Sequence, residues 1–488
     1  MFCEVENMTN YDFDQYGLSE EIIKSLSLLE YKKPTEVQAK VIPLIMEDRD
    51  IIVKSQTGSG KTAAFGIPLC EKVIIEEKGP QALVLTPTRE LCVQVKEDLT
   101  NIGRFKRTRC SAVFGKQPVE VQVNELKQRV HIVAGTPGRT LDLIKRGNLE
   151  TNGIKYLIID EADKMLNMGF IDQVEEIIKL LPEERVTLLF SATIPEEVEA
   201  LCEKHMSNPE KIEITVETVN SDKISQVVYE IVESKKLELL KDVLYIENPD
   251  SCIIFCGTKE KVDMLTRKMK NMAIDCESLH GGMLQEDRLN VMKSFKKGEF
   301  RILIATDVAA RGIDIESLSH IINYDVPVEK ESYVHRIGRT GRAGKSGRAI
   351  TFADISEYRY LEEIEGYIGY GIERAYMPSK EAVETGKKLF ELKSKSKPKL
   401  KADKGDKINK EITKLYIGAG KKKKIRPGDI VGAITSIEGI TAENIGIIDI
   451  KDYVSYVDIL GGKGSLVLET LRNKGIKGKS VKVEKAVK

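Results

Sequence analysis

The chain has 488 residues, of which 41% are hydrophobic and 31% charged, and its 76 basic residues balance 76 acidic ones. That length accommodates two to four domains, each with its own core, and the composition is that of a soluble globular protein. No apolar run reaches the roughly 20 residues that span a bilayer; the opening MFCEVENMTNYDFDQYG lacks the basic and apolar regions of a secretory leader, so a cytoplasmic location without membrane contact is expected.

From about residue 35 to 210 short apolar runs alternate with helical patterns. DIIVKS, QALVLTPT, HIVAGT, YLIIDE and TLLFSAT are strand candidates, each followed by a polar or helical stretch, the pattern of a parallel sheet in an α/β domain. From about 222 to 378 the arrangement returns with SCIIFC, RILIAT, HIINYD and GRAITF. Between them lies NPEKIEITVETVNSDK, a polar junction at 208 to 223. After Pro378 the pattern breaks into a lysine- and serine-rich linker containing KSKSKPKLKADKGDK, too polar to form a core. The last 75 or so residues read as strand, helix, two strands, helix and strand, a small sheet with two helices on one face.

Two compositional features narrow the chemistry. The eight cysteines are scattered through apolar segments, and the near pair Cys252 and Cys256 has no companion cluster to complete a zinc site, so reduced core thiols are expected. The charge is uneven: residues 379 to 488 hold 26 Lys and Arg against 14 Asp and Glu, whereas the other 378 residues hold 50 against 62. A basic C-terminal quarter marks either a nucleic-acid-binding module or a solvated spacer.

The first domain carries the clearest chemistry. SQTGSGKT, residues 55 to 62, follows the strand candidate DIIVK and opens a helical pattern. Backbone N–H groups of such a loop cradle phosphates, Lys61 reaches the terminal phosphates and Thr62 can bind magnesium. The strict P-loop pattern has glycine where this chain has Ser55, which leaves a glycine-rich turn without nucleotide as the alternative. LIIDEADKM, residues 157 to 165, then crowds three carboxylates at a strand end. Repulsion among them is costly unless a cation offsets it. Asp160 suits the magnesium of a bound nucleotide and Glu161 suits the attacking water. An acidic helix N-cap is the alternative.

These residues carry a resemblance covering nearly the whole length. In order they are Phe13, YKKPTEVQ, SQTGSGKT, PTREL, TPGR, DEAD and SAT, then IIFCGTK, LHGG, ATDVAARGIDI and HRIGRTGR. The chain resembles the DEAD-box RNA helicases. The resemblance implies an α/β fold of two tandem RecA-like parallel-sheet domains at 40–210 and 218–378, preceded by an N-terminal extension with an adenine-reading motif at 1–39. It implies ATP and Mg²⁺ as cofactors, with nucleotide contacts from Phe13 (stacking), Lys33, Thr35, Gln38, Ser55, Gln56, Thr57, Gly58, Ser59, Gly60, Lys61, Thr62 and the ribose contact Asp314. Catalysis falls to Lys61, Asp160, Glu161 and the arginine fingers Arg339 and Arg342, and the metal to Thr62 and, through water, Asp160. Coupling between nucleotide state and domain closure falls to Asp163, Ser191, Thr193 and His335. RNA contacts fall to Pro87, Thr88, Arg89, Thr136, Gly138, Arg139, Gly281, Gly282 and Thr306. One departure concerns Gly115 and Lys116, where the family usually has a glycine pair.

Past a basic flexible linker at 379–411, the module at 412–488 has the βαββαβ order of an RRM, an α+β fold. KLYIGAG carries only Tyr416 and IGIIDI carries no aromatic residue, so base stacking on the sheet is not expected. Its KLYIGAGKKKKIRPGDIVGAI resembles the RNA-binding domain of the DbpA-type bacterial helicases. That implies a hairpin of large-subunit ribosomal RNA and a pre-ribosomal particle as partners, with Lys421, Lys422, Lys423, Lys424 and Arg426 as RNA contacts. The resulting expectation is an RNA-stimulated ATPase that locally unwinds short RNA duplexes during ribosome assembly, with no DNA partner. An ATP-dependent RNA clamp with little unwinding is the alternative.

Overall fold

The computed structural model describes residues 12–55, 58–214, 224–307, 318–341, 346–395, 405–477 and 480–486. Gln56, Thr57, Asp314 and Arg342 lie outside the described residues. The chain divides into two compact units, Met1–Ile214 with Asp403–Lys488, and Thr215–Ala402.

The first unit contains a seven-stranded parallel sheet built from β1 (Ile51–Lys54), β2 (Ala82–Leu85), β3 (Cys110–Val113), β4 (Ile132–Gly135), β5 (Tyr156–Asp160), β6 (Val186–Ser191) and β7 (Glu210–Glu213). Its spatial order is β3-β4-β2-β5-β6-β1-β7. Alternate residues of each inner strand enter different cores: Ile51 and Val53 face one, Ile52 the other, and Ala82 and Val84 likewise oppose Leu83 and Leu85. Burial on both faces is why these strands read as unbroken apolar runs. The polar junction begins with β7, an edge strand whose residues stay largely exposed.

The second unit repeats the plan with β8 (Ile224–Glu230), β9 (Cys252–Cys256), β10 (Cys276–Leu279), β11 (Ile302–Thr306), β12 (His320–Asn323), β13 (Gly347–Ala353) and β14 (Glu373–Arg374). The order is β10-β11-β9-β12-β13-β8-β14. Here the structure corrects the expected flexible linker at its start: Lys380–Ser394 is a helix, capped by the Ser379 hydroxyl. Its Phe390 ring packs 5.4 Å from Tyr245. Gly386 allows the approach, because a Cβ there would lie 2.7 Å from the Tyr245 carbonyl oxygen. The seven cysteines among the described residues are all buried and unbridged, and burial pushes the Cys110 thiol up to about 12.

The C-terminal module, part of the first unit, is the antiparallel sheet β16-β17-β15-β18, with β15 at Thr413–Ile417, β16 at Ile445–Ile450, β17 at Ser455–Ile459 and β18 at Val483–Lys485. Helices Pro427–Thr435 and Gly464–Lys474 cover one face through Ile430, Ile434, Val467 and Leu471. The opposite face meets the first sheet domain. Ile408, Ile412 and Leu460 join that domain's apolar core, and Arg104 pairs with the buried Asp458 at 2.9 Å. Among the described residues no helix is long and apolar enough to cross a membrane.

Candidate nucleotide and RNA sites

The C-terminal ends of the first sheet divide into two neighbourhoods. β5, β6 and β1 are adjacent and end in DEAD, SAT and the P-loop, whereas β3, β4 and β2 are adjacent and end at Gly115, TPGR and PTREL. Ligands of open α/β sheets bind along this edge.

The P-loop is anchored on both sides. The Ser55 amide donates to the Ser191 carbonyl at 2.8 Å, and Lys61, 7% exposed, donates to the Ser55 carbonyl at 3.2 Å. Gly60 takes φ +93°, and a Cβ there would sit 2.6 Å from Gln38 Nε2; glycine is required both by the backbone angle and by that contact. The YKKPTEVQ segment holds the loop. Thr35 Oγ1 donates to the Ser59 carbonyl at 2.9 Å. Gln38 Nε2 donates to the Gly60 carbonyl at 3.2 Å, and its Oε1 accepts from the Thr35 amide at 3.0 Å. The Gln38 amide is thus oriented by two local bonds, with one N–H and one lone pair remaining for a base edge. Lys33 is exposed.

Phe13 departs from expectation. It is 3% exposed, edge-on to Tyr16 and Tyr31 at 6.3 Å each, within the apolar core. Its ring packs into that core.

Asp160 is 2% exposed, and burial raises its carboxyl to about 6, opposed by Lys61 and reinforced by Glu161. Its Oδ1 has no hydrogen-bond partner among the described residues. Glu161 adopts φ +57°, a left-handed conformation that costs a non-glycine residue about 1–2 kcal/mol; its Oε1 receives Lys164 Nζ at 2.6 Å. Asp163 ties two motifs together: its amide donates to Ser191 Oγ at 3.1 Å, and its Oδ2 accepts from both the amide and hydroxyl of Thr193 at 3.3 Å.

In the second neighbourhood Pro87 and Thr88 are buried and Arg89 half-buried; Thr88 Oγ1 caps the following helix by accepting from the Leu91 amide at 3.3 Å. Thr136 is half-buried, Gly138 exposed, and Arg139 Nη1 donates to the Gln117 carbonyl and Gln122 Oε1 at 3.1 and 3.0 Å. Lys116 takes φ +59°, keeping at this non-glycine position a backbone shape that glycine favours.

Within the second unit, Gly281 and Gly282 are exposed, and the Gly282 amide donates to His280 Nδ1 at 3.2 Å. Thr306 ends β11 and His335 is half-buried. Arg336 is structural: its guanidinium grips Asp307 twice at 2.6 Å and Asn323 Oδ1 at 3.1 Å. Arg339 is 7% exposed on the loop that follows.

In the module, Lys421, Lys422, Lys423, Lys424 and Arg426 are all exposed, and Lys423 Nζ donates to the Gly418 carbonyl at 2.9 Å. Sequence reading missed Tyr456. It lies opposite Tyr416 across β15 and β17, ring centroids 5.8 Å apart, with Lys414 and Lys451 ammoniums 5.9 and 5.4 Å from its ring. The module face opposite its helices therefore carries a tyrosine pair, which the period-two alternation of YVSYVDIL implied.

Residues 35–201 match the DEAD/DEAH box helicase family, 235–344 the helicase conserved C-terminal domain and 414–485 the DbpA RNA binding domain. The chain belongs to the DEAD-box ATP-dependent RNA helicases of DbpA type. It is 56% identical to the ATP-dependent RNA helicase DbpA of Bacillus subtilis over 98% of its own length and 99% of that protein. It is 43% identical to the helicase CshA of Geobacillus kaustophilus, covering 75% of this chain and 79% of that one. Among solved structures, S. cerevisiae Dbp5 bound to RNA and ADP BeF3 is similar with a TM-score of 0.69 and 33% identity, over 78% of this chain and all (100%) of that chain. The chain is therefore an ATPase that uses ATP to act on RNA.

Proposed function

We propose that this helicase opens short RNA duplexes locally and acts in the cytoplasm on a hairpin of large-subunit ribosomal RNA within a pre-ribosomal particle. Support for the target comes from the DbpA RNA binding match at 414–485 together with the exposed cations Lys421–Lys424 and Arg426. Cations alone bind phosphates without regard to sequence, so discrimination rests on the shape of the whole module.

Asp160 carries the catalytic reading. A buried carboxylate with an unpartnered oxygen, raised to about 6 and next to Lys61, is a site awaiting a cation. Among the described residues no cluster of three or more acidic, histidine or cysteine side chains could hold a metal alone. Thr62 and, through water, Asp160 would hold a magnesium ion, which would supply neutralisation of the nucleotide's phosphate charge. Lys61 contacts the terminal phosphates, Glu161 orients the attacking water and accepts its proton, and Arg339 and Arg342 stabilise charge developing on the transferred group. Base recognition falls to the pre-oriented Gln38 amide. Thr88, Arg89, Thr136, Gly138 and Arg139 hold the RNA backbone, with Gly281, Gly282 and Thr306 contributing from the second domain. Asp163, Ser191 and Thr193, joined by hydrogen bonds, together with His335, transmit nucleotide state.

Glu161→Gln tests this: it is expected to retain ATP and RNA while turnover stops, and unchanged ATPase defeats the assignment. For the target, a large-subunit ribosomal fragment is expected to activate ATPase at far lower concentration than an unrelated RNA of equal length; equal activation removes the ribosomal reading.

A further inference from the structure

The seam joining the C-terminal module to the first sheet domain encloses a cleft of about 570 Å³. Three arginines of the loop Arg104–Arg109 hold its walls together. Arg104 pairs with Asp458, Arg107 Nη2 donates to the Ala442 carbonyl at 2.7 Å, and Arg109 reaches the Ile448 carbonyl and, at 3.1 Å, Asp449. Behind this seam the lining is one-sided. It includes Arg107, Arg109, Lys127 and Arg129 from the sheet domain and Lys421 and Arg426 from the module, with no carboxylate among the lining residues. The floor is apolar, with Ile425, Ile445 and Ile448 prominent.

Lys127, Arg129, Lys421 and Arg426 are exposed; Asp429 accepts from the Arg426 amide at 2.9 Å and feels its charge, whereas the lining itself holds no carboxylate. A cavity lined by more cations than Asp449 can offset, over an aliphatic surface, matches a polyanion carrying planar apolar groups. His131 on the same lining reports the field: burial first, then Arg109 and Arg129, lower its imidazole to about 4. Its Nδ1 accepts from the Arg109 amide at 2.9 Å, so it adds no positive charge of its own to the lining.

We propose that this cleft is a composite RNA groove: a single-stranded segment of an RNA held by the module lies in it, bases against the isoleucines and phosphates between Lys421 and Arg426 on one wall and Lys127 and Arg129 on the other. The proposal rests on the reading that Lys421 and Arg426 contact RNA. It adds a wall from the helicase core, on helix-end and loop positions separate from the PTREL and TPGR loops. RNA bound by the module is thereby registered directly against the first sheet domain rather than tethered through the linker alone.

The test uses the full chain with charge reversals on each wall, Lys127→Glu with Arg129→Glu, and Lys421→Glu with Arg426→Glu. The probe is a large-subunit ribosomal RNA hairpin with a single-stranded flank, and the same hairpin without it. The first-domain pair is expected to weaken binding of the flanked probe at least tenfold and to make the salt dependence shallower by about 1.4 in log–log slope, two single-strand phosphate contacts at about 0.7 each. Binding of the flankless hairpin and kcat at saturating RNA stay as in the parent, and the conservative pair Lys127→Arg with Arg129→Lys retains affinity. If the module pair weakens binding while the first-domain pair leaves affinity and slope unchanged, the composite groove is overturned and the module reading stands. If neither pair has an effect, both fall.

Discussion

The two parallel sheets share one strand order. Numbered from the first strand of each, both run 3-4-2-5-6-1-7, yet equivalent positions do opposite things. In the first sheet the helix after strand one begins with Lys61, whose ammonium donates to the Ser55 carbonyl and, among the described residues, pairs with no carboxylate within 4 Å. In the second, the helix after strand one begins with Lys236, which is fully buried and surrounded by the Tyr324 carbonyl at 3.0 Å and Glu357, Glu233 and Asp325 at 2.6, 3.3 and 3.7 Å. The fifth strand ends in Asp160 in one sheet and in Asn323, bonded to Thr351 and Arg336, in the other. One frame keeps its charges available for a ligand; its counterpart neutralises them internally.

The largest expected effect breaks that contrast from both sides. Lys61→Ala is expected to reduce ATPase by at least about 10²-fold, the scale of one preorganised charge contact to a transition state, with little change in unfolding temperature. Lys236→Met is expected to do the reverse. Removing one member of a buried ionic group leaves Glu357 without its cation, whereas Asp325 keeps Lys261 at 2.7 Å, and costs about 3–5 kcal/mol. Paired denaturation and ATPase measurements check it; a Lys236→Met protein of parental stability dissolves the contrast.

Asp160 sharpens it at the next scale. Burial has raised its carboxyl from 3.8 to about 6. The folded state therefore binds the proton more tightly than the unfolded chain, and stability falls as pH rises through that window. Asp160→Asn is expected to stabilise the nucleotide-free protein at pH 7 by on the order of 2 kcal/mol while ATPase is lost. The gain should vanish as pH is lowered toward 4, and a gain that persists there assigns it to something other than the buried charge.

How much of this was legible follows from where the signal resides. The inner strands announced themselves because both faces are buried. The strands that went unseen were β8 and all four edges, β3, β7, β10 and β14, short or mixed segments such as CESL, EKIE and ER that are specified by backbone pairing rather than by an apolar run. The P-loop and DEAD strings were readable because their chemistry is contiguous. Phe13 was not, since its burial depends on Tyr16, Tyr31 and a core assembled from distant segments. Lys236 looked like any helix-starting lysine. Only the folded chain brings Glu357 to it.

The smallest expected effect concerns backbone strain. Among the described residues the first sheet places two left-handed non-glycine residues on functional edge loops, Lys116 at φ +59° and Glu161 at φ +57°, while Asn248 and Ala273 in the second unit mark helix C-termini, where that conformation is routine. Lys116→Gly relieves about 1–2 kcal/mol of steric strain but gives the unfolded chain extra freedom worth up to about 1 kcal/mol, so a net gain of about 0.5 kcal/mol is expected in chemical denaturation. Lys116 is exposed and directly follows Gly115, where a Cβ would lie 3.6 Å from the Arg89 guanidinium, so the substitution removes a cation from this edge. If the TPGR and PTREL edge binds RNA, affinity should fall slightly as stability rises, a trade that a purely structural loop has no reason to show.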